Sequence, residues 1–132
     1  MKQTFWFCRR FQTIYSAIRI EQEIEIEEGD IPNALKIVIY RITQEAMNNI
    51  AKHSKADLIR LSLQKFDDRI ELIFQDNGRG FDVEKALSSE SVRRGLGLTS
   101  MRERVELSGG SLDIKSVEGK GTIILASWPL CG

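Results

Sequence analysis

Two pairs of alternating runs commit this chain to a sheet built largely from hairpins. Residues 57–64 set Ile59, Leu61 and Leu63 on one face. Residues 70–76 do the same with Ile70, Leu72 and Phe74. The period of two is that of half-buried strands. Between them, Lys65-Phe66-Asp67-Asp68-Arg69 reads as a hairpin loop. The second pair, 111–117 and 122–128, is joined by Glu118-Gly119-Lys120-Gly121 and closed by Pro129. A fifth run alternates Ile18, Ile20, Ile24 and Ile26 with Arg19, Glu21, Glu23, Glu25 and Glu27, a strand with an acidic, solvated outer face.

Helical periods fill the gaps. Residues 4–16 carry Phe7, Phe11, Ile14 and, beyond them, Ile18 at i, i+4, i+7, i+11, and Phe5, Trp6 and Phe7 are expected in the core. After the turn at Gly29-Asp30, Pro32 suits a first helical position, and a helix is expected over 33–53. Leu35, Val38, Ile39, Ile42, Ala46 and Ile50 are its core stripe. A third helix is expected over 99–108, with Met101, Val105 and Leu107 partly inward and Gly109-Gly110 as its stop. Residues 77–98 are polar and glycine-punctuated, and read as a loop. The order predicts an α+β fold: a mixed, mostly antiparallel sheet with helices layered on one face.

Composition narrows the function. At 132 residues, with 42% hydrophobic and 29% charged, the chain can bury a real core. Lys and Arg number 19, as do Asp and Glu, so the formal charge is zero. Nucleic-acid and anionic-membrane binders normally carry a basic excess, so neither partner is expected. No apolar run approaches the roughly 20 residues of a membrane helix. No signal peptide is expected, because TFWFC breaks at once into Arg9 and Arg10. Cys8 and Cys131 lie near opposite ends and read as free thiols in preference to a terminus-to-terminus disulfide. One histidine, His53, cannot build a structural zinc cluster, and no G-x-S-x-G supports a serine triad.

Four constellations could carry chemistry. On the long helix, Glu45, Asn49, Lys52 and His53 recur at i, i+4, i+7 and i+8, so they should form one row. Oxygen donors beside cations suit a hard divalent ion and phosphate, and an exposed polar face would look the same. In Asp76-Asn77-Gly78-Arg79-Gly80-Phe81, Asp76 shares the parity of Phe74 and should point inward, where a carboxylate needs a donor such as an exocyclic amine. An ordinary strand-end turn is the alternative. Gly95-Leu96-Gly97-Leu98 leads into a helix, whose N-terminal N–H groups attract phosphate; neither a Walker A loop nor a dinucleotide fingerprint is present. Gly119-Lys120-Gly121-Thr122 alone would be a hairpin turn.

In this order and spacing, RITQEAMNNIAKHSKA, DNGRGFD, GLGLTSMRERV and GKGT resemble the N, G1, G2 and G3 boxes of the GHKL ATPases. They are most similar to the ATP-binding catalytic domains of bacterial sensor histidine kinases of the nitrate-sensor type. The resemblance spans roughly 4–128 and implies the Bergerat fold, a two-layer α/β sandwich with three helices on one face of the sheet. It implies a single catalytic domain over 1–132 that binds ATP and Mg²⁺. By that resemblance Asp76 holds the adenine amino group, Gly78 and Gly80 shape the floor of the base pocket, and Thr122 lies near adenine through water. Asn49 binds the Mg²⁺, and Glu45 is the polar or general-base group near the γ-phosphate. Lys52 and His53 reach toward phosphates and ribose, and Gly95, Gly97 and Leu98 cradle phosphate at a lid hinge.

The chain departs from the wider family in two ways. Its lid, Phe81 to Arg94, is short and lacks an F-x-x-F box; it is expected to be mobile without nucleotide, with Arg93 or Arg94 as candidates to close on phosphate. The histidine-bearing dimerisation hairpin is absent. The implied activity is therefore phosphoryl transfer to a histidine on a separate domain, and onward to a response regulator, in the cytoplasm, whether free or as part of a membrane-bound sensor. An isolated domain of this kind should be a monomer. The alternatives are a serine kinase of the anti-sigma-factor kind and an interaction module that has lost nucleotide binding.

Overall fold

The computed structural model describes residues 2–79 and 98–130, with side-chain detail from residue 6 onward and without the side chain of His53. Helix α1 (Lys2–Ile14) leads to strand β1 (Arg19–Glu25) and a short 3-10 turn (Glu28–Asp30). Helix α2 (Asn33–Asn49) continues into a π-helical turn (Ile50–Ser54). Strands β2 (Leu58–Lys65) and β3 (Arg69–Asp76) form the first hairpin. Helix α3 (Leu98–Leu107) precedes the second, β4 (Ser111–Val117) and β5 (Gly121–Pro129).

The five strands lie in the order β1-β2-β3-β5-β4. Only β1 and β2 pair in parallel, and α2 is the crossover between them. The hairpins meet along β3 and β5, which pair antiparallel from Arg69↔Pro129 to Asp76↔Thr122. The sheet is mixed and mostly antiparallel, as the alternation predicts.

One strand face and the inner faces of the helices make one core. Ile39, Ile42 and Ala46 of α2 are fully buried with Ile59, Ile70, Leu72 and Phe74 of the sheet and Met101 and Val105 of α3. Cys8 and Phe11 bring α1 onto this core, and Phe7 stacks edge-on against Tyr40 of α2. The other sheet face carries Arg60, Gln75 and Lys115, all exposed. Glu21 of β1 reaches Arg60 of β2 at 3.4 Å, so the acidic face of β1 is partly neutralised across the ladder. Arg19 at 3.1 Å and Arg60 together hold the Glu21 carboxyl below its ordinary range.

Three apolar expectations are corrected. Trp6 is 55% exposed, Ile14 64% and Leu107 89%. In α1 Phe11 is buried as expected and Phe7 is half-buried, but Cys8 joins the core in place of Ile14. In α3 the stripe is Leu98, Met101 and Val105, which leaves Leu107 outside. Cys8 is free and buried, and desolvation pushes its thiol up to about 12, so it packs as an unreactive apolar group. Cys131 lies outside the described residues.

Candidate functional site

The apolar rows of the sheet end in a polar one. Residues paired across a ladder share a face. Leu63, Leu72, Ala126 and Leu112 stand side by side, and next to them Leu61, Phe74, Ile124 and Ile114. The following row is Ile59, Asp76, Thr122 and Ser116. Asp76 therefore ends β3 pointing toward the helical layer, as its parity predicts, and is 5% exposed. Its Oδ1 accepts the Gly78 N–H at 2.8 Å. Its Oδ2 is buried and has no hydrogen-bond partner among the described residues. Burial pushes the Asp76 carboxyl above the ordinary carboxylate range, and the Gly78 donation pulls it partly back. Thr122, also buried, shares a 2.8 Å hydroxyl–hydroxyl hydrogen bond with Ser116.

Backbone from three directions packs against this row. A Cβ at Gly78 would stand 2.2 Å from the Ser54 carbonyl oxygen, so the loop after β3 passes the end of α2 with no room for a side chain. The Arg79 N–H donates to that same carbonyl at 2.7 Å, and the Gly119 N–H donates to the Arg79 carbonyl at 2.5 Å. Asn77 fixes the loop from its other side. Its Oδ1 accepts the N–H groups of Asp57 and Leu58 at 3.1 Å each, and its Nδ2 donates to Asp57 Oδ1 at 2.5 Å. The sequence places Asn77 in a turn without showing this role. Asn77→Ala removes three hydrogen bonds at a partly solvated site and is expected to lower unfolding stability by about 1–2 kcal/mol. Urea denaturation checks this, and an unchanged midpoint would show that the pin is dispensable.

The long helix differs from the expected row. Glu45 and Asn49 are half-buried, i and i+4 on α2. Beyond Asn49 the backbone closes i→i+5 bonds in place of i→i+4. The wider turn breaks the α-helical spacing on which that row rests, and Lys52 is exposed. Lys55 then leaves in the left-handed conformation, φ 53°. Nothing in Ile50-Ala51-Lys52-His53-Ser54 announces the change of period. Glu45 Oε1 lies 3.7 Å from Arg104 Nη2 of α3, while Oε2 is buried without a hydrogen-bond partner among the described residues. Burial raises the Glu45 carboxyl above its ordinary value, and the Arg104 charge opposes this. Leu98 opens α3 and is buried. Gly80, Gly95, Gly97, the 81–94 segment and the His53 side chain lie outside the described residues.

Thus the turn after Asn49, the loop after Asp76 and the Gly119–Thr122 turn converge at one end of the sheet, and α3 joins α2 at Glu45. Residues 34–131 match the model of the family described as histidine kinase-, DNA gyrase B-, and HSP90-like ATPase. The chain belongs to this ATPase family. With membership comes ATP binding. The histidine-protein kinase/phosphatase DegS of Bacillus subtilis is 35% identical over 106 residues, which are 80% of this chain and 27% of that one. The sensor protein VraS of Staphylococcus saprophyticus is 36% identical over 106 residues, again 80% of this chain, and 29% of its own. The chain thus spans less than a third of these relatives. The histidine kinase domain of a blue-light activated kinase from Erythrobacter litoralis superposes with a TM-score of 0.74 at 20% identity, covering 97% of this chain and 61% of that one. A mycobacterial sensor histidine kinase, MprB, gives 0.70 at 20% identity, covering 97% of this chain and 92% of that one. These two show the fold, the α+β sandwich that the box order implies.

The described residues fit what this ATPase domain must hold. Asp76 Oδ2 is a buried acceptor lacking a donor, and the adenine amino group is a donor. Among the described residues no three His, Cys, Asp or Glu side chains cluster as a metal cage.

Proposed function

We propose that this chain is the ATP-binding catalytic part of a two-component sensor histidine kinase of the nitrate-sensor type. It binds Mg²⁺-ATP and passes the γ-phosphoryl group to a histidine on a separate dimerisation domain, from which a response regulator receives it. The observation that carries ATP recognition is the unpartnered Asp76 Oδ2 beside Thr122. The names of the relatives support the kinase reading over a serine kinase of the anti-sigma-factor kind.

In this reading Asp76 accepts the adenine amino group, Thr122 lies near the base, and Gly78 with Gly80 lets the base approach. Asn49 supplies an oxygen to Mg²⁺, which neutralises phosphate charge. Glu45 is the polar or general-base group on the γ-phosphate side, and Lys52 and His53 serve the phosphates and ribose. Gly95, Gly97 and Leu98 cradle phosphate at the start of α3. The place of action is the cytoplasm, and the isolated chain is a monomer. Among the described residues no helix is long and apolar enough to cross a membrane, which leaves strand-built barrels unaddressed.

Phosphoryl transfer is mainly positioning and charge neutralisation, so the acceptor must stand in line with the γ-phosphate. His53, the one histidine, belongs to the turn that continues α2 past Asn49, on the wall of the nucleotide site. The isolated chain should therefore bind Mg²⁺-ATP without labelling itself. It should label an added histidine-bearing hairpin weakly, because the tether that supplies effective concentration is missing. Incubation with γ-labelled ATP tests this. Acid-labile, base-stable label on His53 would overturn the donor role, and calorimetry showing no ATP binding would overturn the whole reading.

A further inference from the structure

We propose that Arg104 is a positioning residue for Glu45: from α3 its guanidinium engages one carboxylate oxygen and leaves the other to the reacting end of the nucleotide. This rests on the proposed function, which puts Glu45 on the γ-phosphate side. The two oxygens of Glu45 have different surroundings. Oε1 faces Arg104 Nη2 at 3.7 Å, and Oε2 is buried with no hydrogen-bond partner among the described residues. A carboxylate free to rotate about its last bond would exchange them, and a cation on one side removes that equivalence.

The contact is longer than the ~2.7–2.9 Å of a charge-assisted hydrogen bond, so Arg104 orients by charge and leaves Glu45 its remaining acceptor sites. Other described cations near Glu45 in sequence lie toward solvent. Arg41 is exposed and hydrogen-bonds Gln44 at 3.5 Å, and Lys52 is exposed beyond the π-helical turn. Glu45 is the more covered member of the pair, its side chain 31% exposed against 43% for Arg104. Loss of Arg104 therefore leaves a half-buried carboxylate without its counter-charge. The pair also joins two elements that bracket the site: Glu45 stands one turn before Asn49 on α2, and α3 starts at Leu98, within the G2 box GLGLTSMRERV.

The test compares Arg104→Gln, Arg104→Lys, Glu45→Gln and the double variant Glu45→Gln/Arg104→Gln in the whole chain. The first readout is transfer from γ-labelled ATP to an added histidine-bearing hairpin. Arg104→Gln should lower kcat about tenfold or more with KM for ATP within twofold of wild type, on the scale seen when a partner that orients a reacting group is removed. Arg104→Lys should recover most of the loss, because the charge is kept. The double variant should be no slower than Glu45→Gln alone, since Arg104 acts only through Glu45. The second readout needs no turnover: the carboxyl-carbon resonance of Glu45 in the ligand-free chain should shift and titrate at a higher pH in Arg104→Gln than in wild type. A multiplicative loss in the double variant, an effect on KM alone, or a Glu45 resonance indifferent to Arg104 overturns the inference. Calorimetry on wild type separates the two failures. A chain that binds no ATP sinks the proposed function, and the resonance still decides whether Arg104 governs Glu45.

Discussion

Asp76→Asn is expected to weaken ATP binding about ten- to a hundredfold while leaving the ligand-free chain at least as stable at neutral pH. The affinity loss follows from the orphaned oxygen. Oδ1 already accepts the Gly78 N–H, so Oδ2 is the atom left for a ligand donor. In the variant, Oδ1 keeps the Gly78 bond and an amide donor replaces Oδ2, facing the adenine amine with a like partner. A bad buried polar contact of this kind costs about 1–3 kcal/mol. The stability side runs the other way. Burial raises the Asp76 carboxyl in the folded chain, so between the ordinary value and the raised one the native state binds more protons than the unfolded state. Stability then falls as pH rises through that window and stays at the lower level above it. The variant lacks this decline. Calorimetric titration with ATP and urea denaturation from acid to neutral pH read both effects. Equal ATP affinity in wild type and variant would remove Asp76 from the adenine site.

This opposition explains why Asp76 was legible in sequence. An apolar strand that ends on an inward carboxylate breaks its own pattern, and period-two parity is enough to expose the break. The hairpins, the third helix and the row of core side chains follow from similarly local signals. Other features depend on contacts between distant segments. The parallel pairing of β1 with β2 is set by the α2 crossover and not by either strand's own pattern. The π-helical turn at Ile50–Ser54 delivers the Ser54 carbonyl to the loop that follows Asp76, a tertiary demand that overrides helical period. Asn77 and Arg104 escaped for the same reason: their partners, Asp57 and Glu45, are far away in the chain. Hydrophobicity alone points Trp6 into the core, whereas its ring lies on the surface beneath Arg10, 5.3 Å from the guanidinium carbon.

Gly121→Ala should damage both folding and the site, because strain and collision act together there. Gly121 has φ +112°, a conformation that L side chains rarely adopt. Its Cβ would stand 2.1 Å from the Asp76 carbonyl oxygen, with Asp76 C at 3.1 Å and Asn77 Cα at 3.2 Å. These are backbone atoms, Asp76 in the last pair of the β3–β5 ladder and Asn77 pinned to Asp57 and Leu58, so they cannot swing aside as a flexible side-chain end could. Gly119→Ala is the control. It shares a positive φ, +83°, but its Cβ would meet nothing within 4 Å. Backbone strain alone should therefore destabilise Gly119→Ala by about 1–2 kcal/mol. Gly121→Ala adds overpacking of another 1–3 kcal/mol, a total of about 2–5 kcal/mol against a typical domain stability of about 5–15. The displacement falls on the Asp76↔Thr122 pair, so whatever fraction stays folded should also bind ATP poorly, whereas Gly119→Ala should bind near normally. Urea midpoints and calorimetry on the two variants separate strain from collision. Equal destabilisation in both would mean that φ, and not the close approach to Asp76, is what requires glycine at 121.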